Sequence, residues 1–117
     1  MYNVLLIDDD DDLSEMVSLA LTRHNMKVYS YTDCTNLDQK IIECSPAVIL
    51  MDIYVGGADG RKVCFGHKNS IHQKIPVILY SAGNISISSI EESLANDFIQ
   101  KPFNISQLVE RINKQAV

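Results

Sequence analysis

The chain has 117 residues, 46% apolar and 21% charged, a make-up that fits one globular domain and not a disordered chain. Its net charge of −5 comes from 15 acidic against 10 basic residues, and the five consecutive acids Asp8 to Asp12 account for the whole excess. With no cluster of Lys and Arg, the balance argues against a nucleic-acid groove or a polybasic membrane surface, and no apolar run approaches the roughly 20 residues that span a bilayer.

The apolar run Val4 to Ile7 predicts a first strand, and the acids that follow lead into a helix pattern. Leu13, Met16, Val17, Ala20 and Leu21 fall at i, i+3, i+4, i+7 and i+8, with Asn25 as a left-handed stop. Asp10 and the Asp12–Glu15 pair compete as its cap. Val28 to Tyr31 predicts the second strand. A second helix, over residues 35–44, repeats apolar residues at Leu37, Ile41 and Cys44. Ala47 to Met51 predicts the third strand. A third helix over Arg61–Lys68 is weakened by Gly66, and Asp59 before Gly60 reads as a turn or a cap. Ile75 to Tyr80 predicts the fourth strand. The fourth helix, Ser86 to Leu94, is rich in Ser and β-branched residues and has poor propensity. Phe98-Ile99 marks the fifth strand. The last helix puts Ile105, Leu108, Val109 and Ile112 on one face, opened by an Asn104…Gln107 capping pair.

Three of the five strand runs are apolar without alternation, as strands buried on both faces require. The (βα)₅ alternation predicts an α/β fold with a doubly wound, mostly parallel five-stranded sheet and right-handed crossovers. No basic segment followed by an apolar one opens the chain, so no secretion signal is expected. Cys34, Cys44 and Cys64 lack any C-x-x-C spacing and read as reduced thiols of a cytoplasmic protein.

Ligands of open α/β sheets bind outside the carboxyl ends of the strands. Here those ends carry Asp8-Asp9, Asp52, Ser81 and Lys101, which brings three carboxylates, a hydroxyl and an ammonium to one edge. Two carboxylates about 5 Å apart repel by roughly 3 kcal/mol at an effective dielectric near 20. Three beside one lysine therefore call for raised pKa values or a bound cation. An all-oxygen donor set favours a hard ion, Mg²⁺ before Ca²⁺. Carboxylate, Mg²⁺ and ammonium together suit phosphoryl transfer, with one Asp as the nucleophile.

The segments Val4-Leu-Leu-Ile-Asp8-Asp9-Asp10, Met51-Asp52-Ile-Tyr-Val-Gly-Gly-Ala-Asp59-Gly60, Leu79-Tyr-Ser81-Ala82 and Lys101-Pro102-Phe103, in this order, resemble the motif set of response-regulator receiver domains. The resemblance runs from residue 2 to about 115 and includes the chemotaxis-regulator type of receiver. It implies a flavodoxin-like sheet of order 2-1-3-4-5. It also implies a switch in two-component signalling or a phosphorelay, not a turnover enzyme, although the domain assists its own aspartyl phosphorylation and autodephosphorylation. Asp52 would be the phosphoacceptor, charged by a sensor histidine kinase or a histidine phosphotransfer protein. Asp9, Asp52 and the backbone carbonyl of Tyr54 would hold Mg²⁺, with Asp8 acting largely through water. Lys101, the Ser81 hydroxyl and the Ala82 N–H would meet the phosphoryl oxygens. The Lys101-Pro102 bond would be cis. Ser81 and Phe98 would form the switch that changes the partners of the helix 4–strand 5–helix 5 face, a downstream protein or a second copy in a phosphorylation-dependent dimer. The chain stops soon after its fifth helix, so a single receiver domain over residues 1–117 without an effector domain is expected.

The chain also departs from the family pattern. Gly56 stands where proline is usual, and with Gly57 it suggests a more mobile acceptor loop. The Ser81–Lys101 stretch is about two residues short, and Leu94 takes the place of a usual glycine, so a short or mobile fourth helix is expected. Tyr54 and Gly83 flank the site at positions that tune dephosphorylation in the family. His24, His67 and His72 share no motif and are expected in solvent. Two other readings stay open: a receiver-fold binding module that works without phosphate, and a Mg²⁺-dependent phosphohydrolase using the Asp8-x-Asp10 pair with Asp8 as nucleophile.

Overall fold

Unbroken apolar runs become strands here because both faces of the sheet are covered. The computed structural model describes residues 2–116. In chain order its elements are β1 (Tyr2–Ile7), α1 (Asp11–Arg23), β2 (Met26–Tyr31), α2 (Leu37–Cys44), β3 (Val48–Asp52), β4 (Tyr54–Val55), β5 (Ala58–Asp59), α3 (Gly60–Lys68), β6 (Val77–Ser81), α4 (Ile87–Ser93), β7 (Asp97–Gln100) and α5 (Ile105–Ala116). The five longer strands form one parallel sheet in the order β2-β1-β3-β6-β7, the 2-1-3-4-5 order expected.

Side chains alternate across the sheet with a period of two. Val4, Leu6, Val48, Leu50, Ile78 and Tyr80 pack with Val17 and Leu21 of α1 and Leu108 and Ile112 of α5. Leu5, Ile7, Ile49, Met51, Val77 and Leu79 pack on the other face with Ile41 and Cys44 of α2 and Cys64 of α3. Val4 to Ile7 and every residue of β3 and β6 are buried. Each fully buried aliphatic chain contributes roughly 1.5–3 kcal/mol, so the three central strands anchor everything at their carboxyl ends.

The helix starts follow the side chains that cap them. Asp10 accepts from the Leu13 N–H, which settles the α1 cap against the Asp12–Glu15 alternative. Asp59 caps α3, Ser86 caps α4, and Asn104 accepts from the Gln107 N–H ahead of α5. Asn25 takes a left-handed φ of 63°, as its place after α1 predicts.

Several details differ from the sequence expectation. The helix α2 begins at Leu37, because Asp33 folds back onto the Thr35 N–H and hydroxyl. Helix α1 turns Ser14, Val17 and Leu21 inward and leaves Met16 half exposed at the border of the apolar stripe. The helix α3 runs through Gly66 without interruption. His67 is not in solvent: it is buried, and its Nε2–H donates to the Ile75 carbonyl at 2.9 Å. Burial lowers the pKa of its imidazole from the ordinary value. His72 is half-buried, and only His24 is exposed.

The Gly56-Gly57 loop is a defined turn. Tyr54–Val55 pairs antiparallel with Ala58–Asp59, and the two glycines between them take φ of 53° and 78°. Positive φ at both central residues is what a two-residue hairpin turn needs, and glycine meets it without steric cost.

Candidate functional site

The period of two that buries Val4 and Leu6 carries Asp8 to the same side of the sheet. It does the same for Asp52 after Val48 and Leu50, and for Tyr80 after Ile78. Parallel pairing then sets Asp52 beside Tyr80 across the β3–β6 ladder. Two acids and a phenol therefore meet at the carboxyl edge.

Asp8 is 1% exposed and its oxygens are engaged. Oδ1 accepts from the Asp10 N–H at 2.9 Å and Oδ2 from the Tyr80 hydroxyl at 2.5 Å. The Lys101 ammonium lies 3.7 Å from Asp8 Oδ2 and 3.3 Å from Asp52 Oδ2. Asp52 Oδ1 accepts from the Tyr54 N–H at 3.3 Å. Burial raises the Asp52 carboxyl above the ordinary carboxylate range; Lys101 opposes that shift and Asp8 adds to it. Burial, with Asp8 accepting from it, also pushes the Tyr80 phenol far above its ordinary value, so Tyr80 remains a donor.

Asp9 stands apart from this buried pair. It is exposed, and its Oδ2 accepts from the Gly56 N–H at 3.0 Å, tying the hairpin turn to the end of β1. The return of the chain from that hairpin is tight. A Cβ on Gly60 would lie 2.5 Å from the Asp52 carbonyl oxygen, so only glycine lets α3 start this close beneath the acid. Asp10, Asp11 and Asp12 belong to the cap and first turn of α1, where the macrodipole favours acids.

Ser81 ends β6 with its side chain buried, and its Oγ accepts from the Gly83 N–H at 3.2 Å. Ala82, the next residue, is exposed. The loops after β6 and β7 are bound together. The Ser81 carbonyl accepts from the Lys101 N–H and from Gln100 Nε2, which also donates to the Gly83 carbonyl. The Lys101-Pro102 peptide is cis. Above the Tyr80 ring the Lys101 ammonium sits 4.7 Å from the centroid, and Phe103 meets the same ring edge-on at 5.9 Å.

Phe98 is half-buried on β7 and packs against the core cluster under α2 and α3, on the opposite side of the sheet from Val4, Leu6 and Tyr80. Tyr54 is 57% exposed, with the Arg61 guanidinium 5.8 Å from its ring centroid. Two bonds to Asp59 hold that guanidinium, and it also donates to Ser89 of α4. Among the described residues, no three His, Cys, Asp or Glu side chains are gathered so that together they could hold a metal ion. None of their helices is long and apolar enough to cross a membrane.

The family model for the response regulator receiver domain matches residues 4–113. The chain belongs to that family. A receiver domain is a module of two-component signalling and not a classical enzyme. Solved receiver structures superpose closely. A candidate response regulator from Chloroflexus aurantiacus J-10-fl is 27% identical, with a TM-score of 0.88 over 98% of this chain and 97% of that one. NtrX from Brucella abortus is also 27% identical, with a TM-score of 0.84, and 98% of this chain covers 26% of NtrX. The beryllofluoride-activated N-terminal receiver domain of Klebsiella pneumoniae RstA shares the fold at 22% identity, with a TM-score of 0.87 over 97% of both chains.

Within this receiver domain, Asp8, Asp52, Ser81 and Lys101 share one edge, while Asp9 and Tyr54 flank it on the hairpin side. Sequence reasoning missed Tyr80, Gly60 and Gln100. Tyr80 was legible in principle, because it stands two residues after Ile78 on the strand face that ends in the acids.

Proposed function

We propose that Asp52 accepts a phosphoryl group from the phosphohistidine of a sensor histidine kinase or a histidine phosphotransfer protein. One observation carries this reading: Asp52 is the acid at the mouth of the edge with an oxygen 3.3 Å from a lysine ammonium and a second acid behind that lysine. Asp8, enclosed and held by two hydrogen-bond donors and the ion pair with Lys101, is poorly placed to attack, which disfavours the phosphohydrolase reading.

In the proposed step an Asp52 oxygen forms a bond to phosphorus as the phosphorus–nitrogen bond of the donor histidine breaks. The histidine nitrogen keeps the electron pair. Lys101, now paired with the carboxylate, turns its charge to the phosphoryl oxygens. The Ser81 hydroxyl leaves its contact with Gly83 and donates to one of them, beside the Ala82 N–H.

The donors here suit Mg²⁺, which is commonly held by one or two carboxylates and otherwise by water and phosphate oxygens instead of a closed protein cage. Asp9, Asp52 and the Tyr54 carbonyl would hold it, with Asp8 reaching it through water. When bound, Mg²⁺ supplies neutralising charge at the phosphoryl oxygens.

Movement of Ser81 would free space for Phe98 to turn inward and would change the face made by α4, β7 and α5. That face is where a downstream protein or a second copy of the chain would read the phosphorylated state. The chain is proposed to act in the cytoplasm as one receiver unit over its whole length. The beryllofluoride activation described for RstA is the behaviour this reading expects here.

The test is the intact mass of the chain after incubation with Mg²⁺ and acetyl phosphate. One added phosphoryl group, absent without Mg²⁺ and absent from Asp52→Asn, is the expected result. No adduct, together with no binding of beryllofluoride, would instead favour a binding module that works without phosphate.

A further inference from the structure

A tyrosine in the middle of a buried strand is ordinarily core, and its hydroxyl takes whatever acceptor lies near. Tyr80 is 1% exposed and its ring does pack in the core cluster under α1 and α5. Its hydroxyl, however, does not end on a backbone carbonyl. It ends on Asp8 Oδ2, the oxygen that also faces the Lys101 ammonium. The ring face lies under the same ammonium. One side chain thus touches both the buried acid and the lysine that pairs with Asp52.

We propose that Tyr80 is a positioning residue for phosphoryl transfer at Asp52: its hydroxyl satisfies Asp8 and its ring supports Lys101, so that the ammonium is left to Asp52. The inference rests on the reading of Asp52 as phosphoacceptor. The two ion pairs of Lys101 are nearly equal in length, so Coulomb attraction alone hardly prefers one acid. A short hydrogen bond to a carboxylate is a strong interaction and is enough to tip that choice. Without the hydroxyl, Asp8 Oδ2 is a buried, charged acceptor short of a donor, and Lys101 is the nearest group that can answer. Each movement of Lys101 toward Asp8 weakens its hold on Asp52 and on the incoming phosphoryl group.

Tyr80→Phe tests this, because it keeps the ring, the core packing and the contact under the ammonium. The ¹⁵N signal of the Lys101 ammonium and the carboxyl ¹³C signals of Asp8 and Asp52 report the geometry without phosphate. The rate of phosphorylation by acetyl phosphate at saturating Mg²⁺ reports the consequence. The variant is expected to shift the Lys101 and Asp8 signals and to slow phosphorylation about tenfold or more, the range for partners that orient a ligating group. Asp8→Asn removes the charge that Tyr80 serves, so adding Tyr80→Phe to it should leave the Lys101 signal where Asp8→Asn alone puts it. That pair also serves if the single variant does not fold.

Unmoved Lys101 signals and a wild-type rate in Tyr80→Phe would make Tyr80 plain core and overturn the proposal. An equal shift of Lys101 in the presence and absence of the Asp8 charge would overturn it too. A wild-type chain that takes up no phosphoryl group would instead bring down the reading of Asp52 itself, a result separable from the Lys101 signals.

Discussion

The Lys101 ammonium stands 3.3 Å from Asp52 Oδ2, joining the ends of two strands that do not pair with each other. The lysine belongs to the turn after β7 and the acid to the end of β3, with β6 between them. This contact concentrates positive charge at the one edge of the sheet where acids gather. Lys101→Met keeps much of the side-chain stem and removes only the charge. Phosphorylation by acetyl phosphate should then slow about a hundredfold, the scale for losing one preorganised electrostatic partner of a transition state. An unchanged rate would place the assisting cation elsewhere.

The hairpin turn makes a second prediction. Gly56 takes a φ of 53°, and a Cβ there would lie 2.9 Å from the Asp33 Cβ. Gly56→Ala should therefore cost about 1–3 kcal/mol in urea unfolding, from left-handed strain and the clash together. Gly66→Ala is the internal contrast. Gly66 lies inside α3 with nothing within 4 Å of an added Cβ, so alanine should stabilise by about 0.5–1 kcal/mol.

Asp33 itself predicts a pH dependence. The Thr35 hydroxyl, then Lys40, hold its carboxyl at about 2, below the ordinary value of 3.8. A carboxyl lowered on folding adds stability above its unfolded pKa, and that stability is lost as pH falls through the folded value. Asp33→Asn should thus be less stable than wild type at pH 7. The gap in thermal unfolding should close between about pH 4 and pH 2. A gap that is constant across that window would mean that packing, and not charge, accounts for the loss.

Helix α4 should be the least protected of the site's supports. It has seven residues, a single buried one in Ser93, and it stops at Leu94 in a left-handed conformation with φ of 65°. Backbone strain of this kind at a non-glycine residue works against the last turn. Amide exchange over Ile87–Ser93 should be much faster than over Leu108–Ile112 of α5. Equal protection in the two helices would contradict this.

What was legible in the sequence follows from periodicity. The strands could be read because β1, β3 and β6 are apolar on both faces, and their ends then pointed to Asp8, Asp52, Ser81 and Lys101; the strand order followed only from the family resemblance. The short hairpin was missed because two-residue strands carry no period, although Gly-Gly between Tyr54-Val55 and Ala58-Asp59 is a turn signal. His67 was misread as solvated, yet Gly60, Cys64 and His67 share the i, i+4, i+7 stripe that faces the core. The strand face of Tyr80 is legible from Ile78 two residues before it, but the partner of its hydroxyl is not, because Asp8 is 72 residues away and only the folded sheet brings them together.

The central claim is that Asp52 becomes the acyl phosphate. Reduction with borohydride converts a phosphoaspartyl residue to homoserine, which peptide mass mapping then places in the chain. After treatment with Mg²⁺ and acetyl phosphate, homoserine at position 52 alone is the predicted result. Homoserine at position 8, or a phosphoryl group on Asp52→Asn equal to that on wild type, would contradict the account.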